Sequence, residues 1–211
     1  MTEPTAIGAL DLAALVSSRI CHDVINPVSA ITNGLEMLDE EQDAAMREAA
    51  MDLIRKSARQ ATVRLQFARL AFGAAGSAGA EIDLRDAEKV ARDFVQVIKH
   101  TLTWQGPAVT LPKNKVKLLL NMVALGVIAL PRGGNIDVEI SGNPPDVAFT
   151  IVAKGQGAKL NEHVTGLLTG GDGGDINPHS IQPYYAGCVA SAAGMPVSVD
   201  LRDGEVEMRA G

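Results

Sequence analysis

The chain reads His22-Asp23-Val24-Ile25-Asn26-Pro27 inside a stretch that is otherwise helical in pattern. A carboxylate beside an imidazole can accept one ring N–H, fix the tautomer and leave the other nitrogen as a nucleophile. Pro27 removes a backbone N–H and crowds the carbonyl of Asp23, so the helix should bend just after the histidine. Such a bend costs stability, and a purely structural helix has no reason to carry it there. A lone surface histidine is most often just solvated; the acid beside it and the proline beyond it set this one apart.

Apolar residues run from Leu12 through Val16, Ile20, Val24, Val28, Ile31 and Leu35 to Leu38 at steps of three and four, the period of an amphipathic helix. His22 lies two positions from both Ile20 and Val24, about 200° round the helix from each, and so faces away from that stripe. Arg19, Asp23, Asn26, Ala30, Asn33 and Met37 share the outer face with it. Small and polar neighbours around an exposed imidazole leave room for a partner to dock. The remaining candidates are weaker. His100, His163 and His179 are scattered, with no acidic partner at metal-ligand spacing, and read as surface or helix-end residues. Cys21 adjoins His22 in sequence but diverges from it by about 100°. Cys21 and Cys188 form no CxxC pair and are too few for a zinc site or a disulfide scaffold. Ser180 and Ser191 lack the G-x-S-x-G context of a hydrolase nucleophile.

A second stripe follows, Met46, Ala50, Leu53, Ser57, Ala61, Leu65, Ala68 and Phe72, after an acidic break at Asp39-Glu40-Glu41. Two long amphipathic helices joined by a short acidic loop make an antiparallel hairpin. A hairpin alone leaves half of each stripe wet, and pairing two copies into a four-helix bundle buries it, so the expectation is a homodimer; the alternative is a hairpin packed on its own C-terminal domain. Gly73-Ala-Ala-Gly-Ser-Ala-Gly79 reads as a helix stop and linker, dividing the chain into residues 1–74 and 81–211. Beyond it, strands are expected at Ala108–Leu111, Ile136–Ser141, Val147–Ala153, Val197–Leu201 and Glu205–Arg209. Helices are expected at Leu84–Thr103, Lys113–Leu130, Leu160–Leu168 and Ile181–Ala193, giving a mixed sheet with helices on one face. Gly170–Asp175 reads as a mobile loop.

Composition narrows the function further. The 211 residues are 46% apolar and 21% charged, an ordinary globular balance. The net charge of −6 is shared evenly, −3 on residues 1–80 and −3 on residues 81–211, which argues against direct nucleic-acid binding. The longest apolar stretch, Leu118 to Leu130, is interrupted by Asn121 and too short to span a bilayer. Residues 1–11 show no basic region followed by an apolar one, so no signal peptide is expected. A soluble, cytoplasmic protein is the expectation.

The pattern His22-Asp23-x-x-x-Pro27 resembles the H-box of dimeric sensor histidine kinases, in which the histidine receives a phosphoryl group. The longer string Ser18-Arg-Ile-Cys-His-Asp-Val-Ile-Asn-Pro-Val-Ser-Ala-Ile-Thr-Asn-Gly-Leu-Glu-Met-Leu38 is similar to the ChpT-type histidine phosphotransferases of the alphaproteobacterial cell-cycle phosphorelay. The likeness continues through Leu65-Gln-Phe-Ala-Arg-Leu-Ala-Phe-Gly73 and extends to the length and two-part layout of the chain. It implies an α + α/β fold: a helical hairpin forming a dimeric four-helix bundle, then a degenerate histidine-kinase ATPase-like (Bergerat-type) α/β sandwich. The kinase helix that reads N-x-x-x-N-A holds Mg²⁺ with its second Asn. Here Asn121-Met-Val-Ala-Leu125-Gly126 keeps the first Asn and puts an apolar side chain at the metal position. The adenine-reading Asp of the kinase D-x-G-x-G motif is replaced in Ala153-Lys154-Gly155-Gln156-Gly157, and Pro178 and Pro183 interrupt the phosphate-loop region.

The resemblance therefore implies a phosphotransferase that binds no cofactor of its own, with Mg²⁺ on the partner receiver domain. The donor would be the receiver of a CckA-like hybrid histidine kinase, and the acceptors CtrA-like and CpdR-like response regulators. His22 would carry the phosphoryl group, Asp23 would orient its ring, and Asn26 would bond phosphoryl oxygens or receiver backbone. Arg19, Ala30, Asn33 and Met37 would form the docking face. An atypical ATP-using kinase and a non-catalytic receiver-binding scaffold remain the alternatives.

Overall fold

The computed structural model describes residues 7–73, 80–170 and 175–211. The hairpin consists of α1 (Ala9–Glu40) and α2 (Ala44–Ala71). Its acidic turn is built from its own carboxylates. Glu41 Oε1 accepts from the backbone N–H groups of Gln42 and Asp43, at 2.8 and 2.9 Å, and Asp43 caps α2 by accepting from Met46 N at 3.0 Å. Arg47 then reaches back to the carbonyls of Leu38 and Glu41, satisfying groups at the end of α1. Asp39 and Glu40 remain helical, so the turn starts two residues later than the break in the stripe suggests.

The residues of α1 that are fully buried are Pro27 and Gly34, neither of them in the apolar stripe. A Cβ at Gly34 would stand 2.7 Å from Ile54 Cγ1 and 3.3 Å from the carbonyl oxygen of Ala50, so glycine is what lets α1 and α2 approach there. The stripe itself splits. Val16, Ile20, Val24 and Leu38 are half-buried, whereas Val28 and Leu35 are about half exposed, at 47% and 50%. On α2 the pattern repeats: Ala50, Ser57, Ala61 and Phe67 are buried while Met46, Leu53 and Leu65 are exposed. The hairpin thus has a second apolar edge that a single chain does not cover.

The rest of the chain forms an α/β sandwich. Its sheet runs in the order β2 (Thr101–Gln105), β4 (Asn135–Asn143), β5 (Asp146–Lys154), β7 (Glu205–Ala210), β6 (Val197–Arg202). The β2–β4 pair is parallel and the other pairs are antiparallel. A small two-stranded sheet pairs β1 (Glu81–Asp83) with β3 (Thr110–Pro112). The helices are α3 (Leu84–Val97), α4 (Lys113–Ile128), α5 (Glu162–Thr169) and α6 (Ile181–Ala193). Alternate residues of the strands, among them Ile136, Val138, Phe149, Ile151, Val206 and Met208, are buried in the core shared with these helices. Helix α4 is buried all round from Val116 to Gly126, the central helix of the layer.

The helix expected over Leu84–Thr103 ends at Val97. The chain reverses through Lys99, at φ 63°, and Thr101–Gln105 becomes the edge strand β2. The strand expected at Ala108–Leu111 lies at Thr110–Pro112, and its partner β1 was not foreseen. Helix α6 has the expected bounds at both ends. The glycine-rich segments fall partly on residues 74–79 and 171–174, which lie outside the described residues, as does the linker of the expected two-part division.

The end of the hairpin is seated in the second half. Phe67 stacks on Phe94 of α3 with ring centroids 3.9 Å apart, and Phe67 and Ala71 belong to the common core. Asn121 of α4 is fully buried and donates from Nδ2 to the carbonyls of Ala71 and Lys117, at 3.1 and 2.9 Å. Tyr185 of α6 donates to the Phe72 carbonyl at 3.4 Å and accepts from Lys117 Nζ at the same distance. Burial, with Lys113 nearby, holds the Lys117 ammonium below the ordinary lysine range. These contacts place polar donors on the last carbonyls of α2, where a helix leaves acceptors unmade.

Candidate functional site

His22 projects from α1 with 60% of its side chain exposed. Its Nδ1 lies 3.7 Å from Asp23 Oδ1, too far for a hydrogen bond. The Asp23 carboxylate is instead engaged by Arg19, whose Nε donates to Oδ2 at 3.0 Å. This corrects two expectations. Asp23 does not hold the ring by a hydrogen bond, and Arg19 is a partner of Asp23 with only 20% of its side chain exposed, not an open docking residue. The reason is helical geometry: residues four apart stack on one face, while adjacent residues diverge by about 100°. Asp23 remains a fixed negative charge on the Nδ1 side of the ring.

Pro27, inside the continuous helix α1, is accommodated by a side chain of α2 that no local pattern singles out. Pro27 has no N–H for the carbonyl of Asp23, four residues back. Arg64 of α2 supplies the missing donor, Nη1 to Asp23 O at 2.8 Å. The interruption beside His22 is thus stitched to the second helix. Two variants test this account. Arg64→Ala leaves the carbonyl short of a donor and should cost about 1–3 kcal/mol in denaturant unfolding. Pro27→Ala restores the backbone donor, so Arg64→Ala should cost measurably less in that background; an unchanged cost would mean the two do not share the carbonyl.

Asn26 and Asn33 are exposed, Met37 is 38% exposed and Ala30 is half-buried, all along the surface of α1 that runs on from His22. Behind the site, between hairpin and sandwich, lies a cleft of about 180 Å³ lined by Arg19, Asp23 and Arg64 together with Phe67, Phe94 and Gln182. His179, read from the sequence as an isolated surface residue, comes from the second half of the chain to within 5.6 Å of the His22 ring, centroid to centroid, at an interplanar angle of 82°. No local pattern signals that approach; it follows from the way α6 packs on α1.

The residues at the kinase-like boxes do not fit a metal or adenine role. The Asn121 amide is committed to the end of α2, and Leu125 and Ala153 are fully buried apolar side chains. Among the described residues, no group of three or more His, Cys, Asp or Glu side chains is placed to hold a metal ion.

With this geometry in view, the comparisons with known proteins are specific. The family described as the histidine phosphotransferase C-terminal domain matches residues 84–205, more than half of the chain. The chain belongs to the histidine phosphotransferase family. The protein phosphotransferase ChpT of Brucella abortus (strain 2308) is 50% identical over 200 residues, 94% of each chain. A solved structure of a bacterial phosphotransferase is 45% identical, covers both chains completely and superposes with a TM-score of 0.91. The fold expected from the resemblance, a helical hairpin followed by an α/β sandwich, is the one observed. As a histidine phosphotransferase the chain transfers phosphoryl groups within a phosphorelay, and receiver domains and response regulators are the partners of that chemistry. Among the described residues, no helix is long and apolar enough to cross a membrane.

Proposed function

We propose that His22 is the phosphoacceptor, charged by the aspartyl phosphate of a hybrid-kinase receiver domain and discharged onto response-regulator aspartates, without ATP. The observation that carries this reading is an imidazole with 60% of its side chain exposed and its Nδ1 3.7 Å from the Asp23 carboxylate. In the forward step the Nε2 lone pair attacks phosphorus in line and an N–P bond forms. The P–O bond to the donor aspartate breaks, and the carboxylate leaves with the electron pair. Nδ1 keeps its proton through the step, where the charge of Asp23 stabilises the cationic ring that forms. Attack by an acceptor carboxylate on the same phosphorus runs the step in reverse. Asn26 stands one turn along α1, within reach of phosphoryl oxygens or receiver backbone, and Ala30, Asn33 and Met37 continue the docking face.

The further identity of the partners rests on the likeness to the ChpT-type family: a CckA-like donor, and CtrA-like and CpdR-like acceptors, in the cytoplasm. Independence from ATP is supported by the apolar Leu125 and Ala153 and by the structural commitment of Asn121, since transfer from ATP relies on Mg²⁺ to neutralise charge. Mg²⁺ is assigned to the partner receiver. The exposed apolar edge of the hairpin supports a homodimer closing a four-helix bundle. A label-transfer assay tests the reading. Radiolabel should reach the protein from a phosphorylated hybrid-kinase receiver and not from ATP; label arriving from ATP alone would instead make this an autophosphorylating kinase.

A further inference from the structure

We propose that His179 is a positioning residue for the phosphotransfer: its ring, supplied by the α/β sandwich, sets the orientation of the His22 imidazole. The proposal rests on the reading of His22 as phosphoacceptor. The phosphoacceptor ring makes no side-chain hydrogen bond among the described residues, since Asp23 is 3.7 Å away and taken by Arg19. A free imidazole on a helix surface turns about two side-chain bonds, and each wrong rotamer directs Nε2 away from in-line attack. The ring contact that restricts it is His179, at 5.6 Å and 82°, the separation and angle of an edge-to-face pair.

The contact can only position His22 if His179 is itself held, and its backbone is. Asn177 Oδ1 accepts from the N–H groups of His179 and Ser180, at 2.9 and 3.2 Å. Ser180 Oγ accepts from Asn177 N at 2.9 Å and donates to the Asp175 carbonyl at 3.2 Å. Ser180 is 5% exposed and leads directly into α6. That helix is fastened to the hairpin through Tyr184, whose hydroxyl accepts from Ile7 N at 3.2 Å, and through Tyr185 on the Phe72 carbonyl. His179 is therefore the tip of a braced segment, while its side chain remains exposed beside the open side of His22. This gives the sandwich a part in the chemical step itself: it completes the acceptor site in a hairpin that alone would leave the imidazole free to rotate.

The test compares full-length wild type with His179→Ala, His179→Phe and His22→Ala. Single-turnover transfer from a phosphorylated receiver domain is followed at several receiver concentrations, and the His22 ring resonances are recorded by NMR. An edge-to-face pair of this kind corresponds to about a three- to tenfold change in rate. His179→Ala should slow the saturating rate by that amount at unchanged half-saturation and shift the His22 ring signals. His179→Phe, which keeps a ring in place, should recover most of the rate. A wild-type rate in His179→Ala overturns the proposal. So does a loss that appears only as raised half-saturation, which would make His179 a receiver contact, or one that phenylalanine does not restore. If wild type takes no label from the receiver, the phosphoacceptor reading has itself failed, an outcome distinct from equal transfer by wild type and His179→Ala.

Discussion

His22→Ala should take up no acid-labile phosphate from a phosphorylated receiver, a loss of roughly 10⁴-fold or more, on the scale of nucleophile deletions generally. The magnitude follows from the site. In the proposed reaction the imidazole forms the new bond, and its neighbours Asp23 and Arg19 are already paired with each other. The fold should be untouched, because the removed ring is mostly in solvent and donates no hydrogen bond that another group needs. Circular dichroism and the unfolding midpoint of the variant should match wild type. Receiver binding should also persist, since Asn26, Ala30, Asn33 and Met37 remain, and this separates a phosphotransferase from a scaffold. If His22→Ala still supports signalling in cells, the scaffold reading wins. If label survives in vitro, mapping the modified residue by mass spectrometry would place it on another nucleophile, His179 being a ring already next to the site.

Which parts of this site were legible beforehand depends on how far each interaction reaches along the chain. The hairpin could be read because helical burial repeats every three to four residues, and α6 because Ser180 and Gly194 bracket an apolar run. Strand β2 was lost to the helix before it because the reversal is made by Lys99 in a left-handed conformation, with no glycine or proline to mark the stop. His22 and Pro27 declare themselves within one turn of helix. The partner of Asp23 is also within one turn: Arg19, four positions earlier, stacks on the same face of α1. Arg64 was half-visible: a proline in mid-helix implies an orphaned carbonyl, and so a donor somewhere, but not which arginine of α2 supplies it. The contacts that His179 and Asn121 make with the hairpin are not legible in the sequence. Those contacts arise from the docking of the sandwich on the hairpin, and Asn121, recognisable as the first Asn of the kinase-like box, is committed to the last turn of α2. The proposed acceptor is thus marked by a local pattern, while His179 and Asn121 reach their places by long-range packing.

Leu35→Asp should convert the protein from a dimer to a monomer. Val28 and Leu35 on α1, with Met46, Leu53 and Leu65 on α2, leave 37–50% of their surface open on a single chain. A hairpin with Gly34 and Ala50 packed tightly between its own helices has no further room to turn these residues inward. In the proposed four-helix bundle a second hairpin would cover them. In a two-fold dimer each substitution acts twice, because the same patch meets its own copy. Losing about 2 kcal/mol of apolar burial per leucine therefore weakens association by about 4 kcal/mol, roughly a thousandfold in Kd. The carboxylates left in the closed bundle add to that. Sedimentation equilibrium of the full chain should give twice the chain mass for wild type and the single-chain mass for Leu35→Asp at micromolar concentration. A monomeric wild type would remove the four-helix bundle from the account. A variant that stays dimeric would place the interface on another face of the molecule. His22 lies round α1 from Val28 and Leu35, so the monomeric variant should still accept phosphate. Transfer by a monomer would show that each hairpin carries a complete acceptor site, steadied by its own sandwich and not by its partner's.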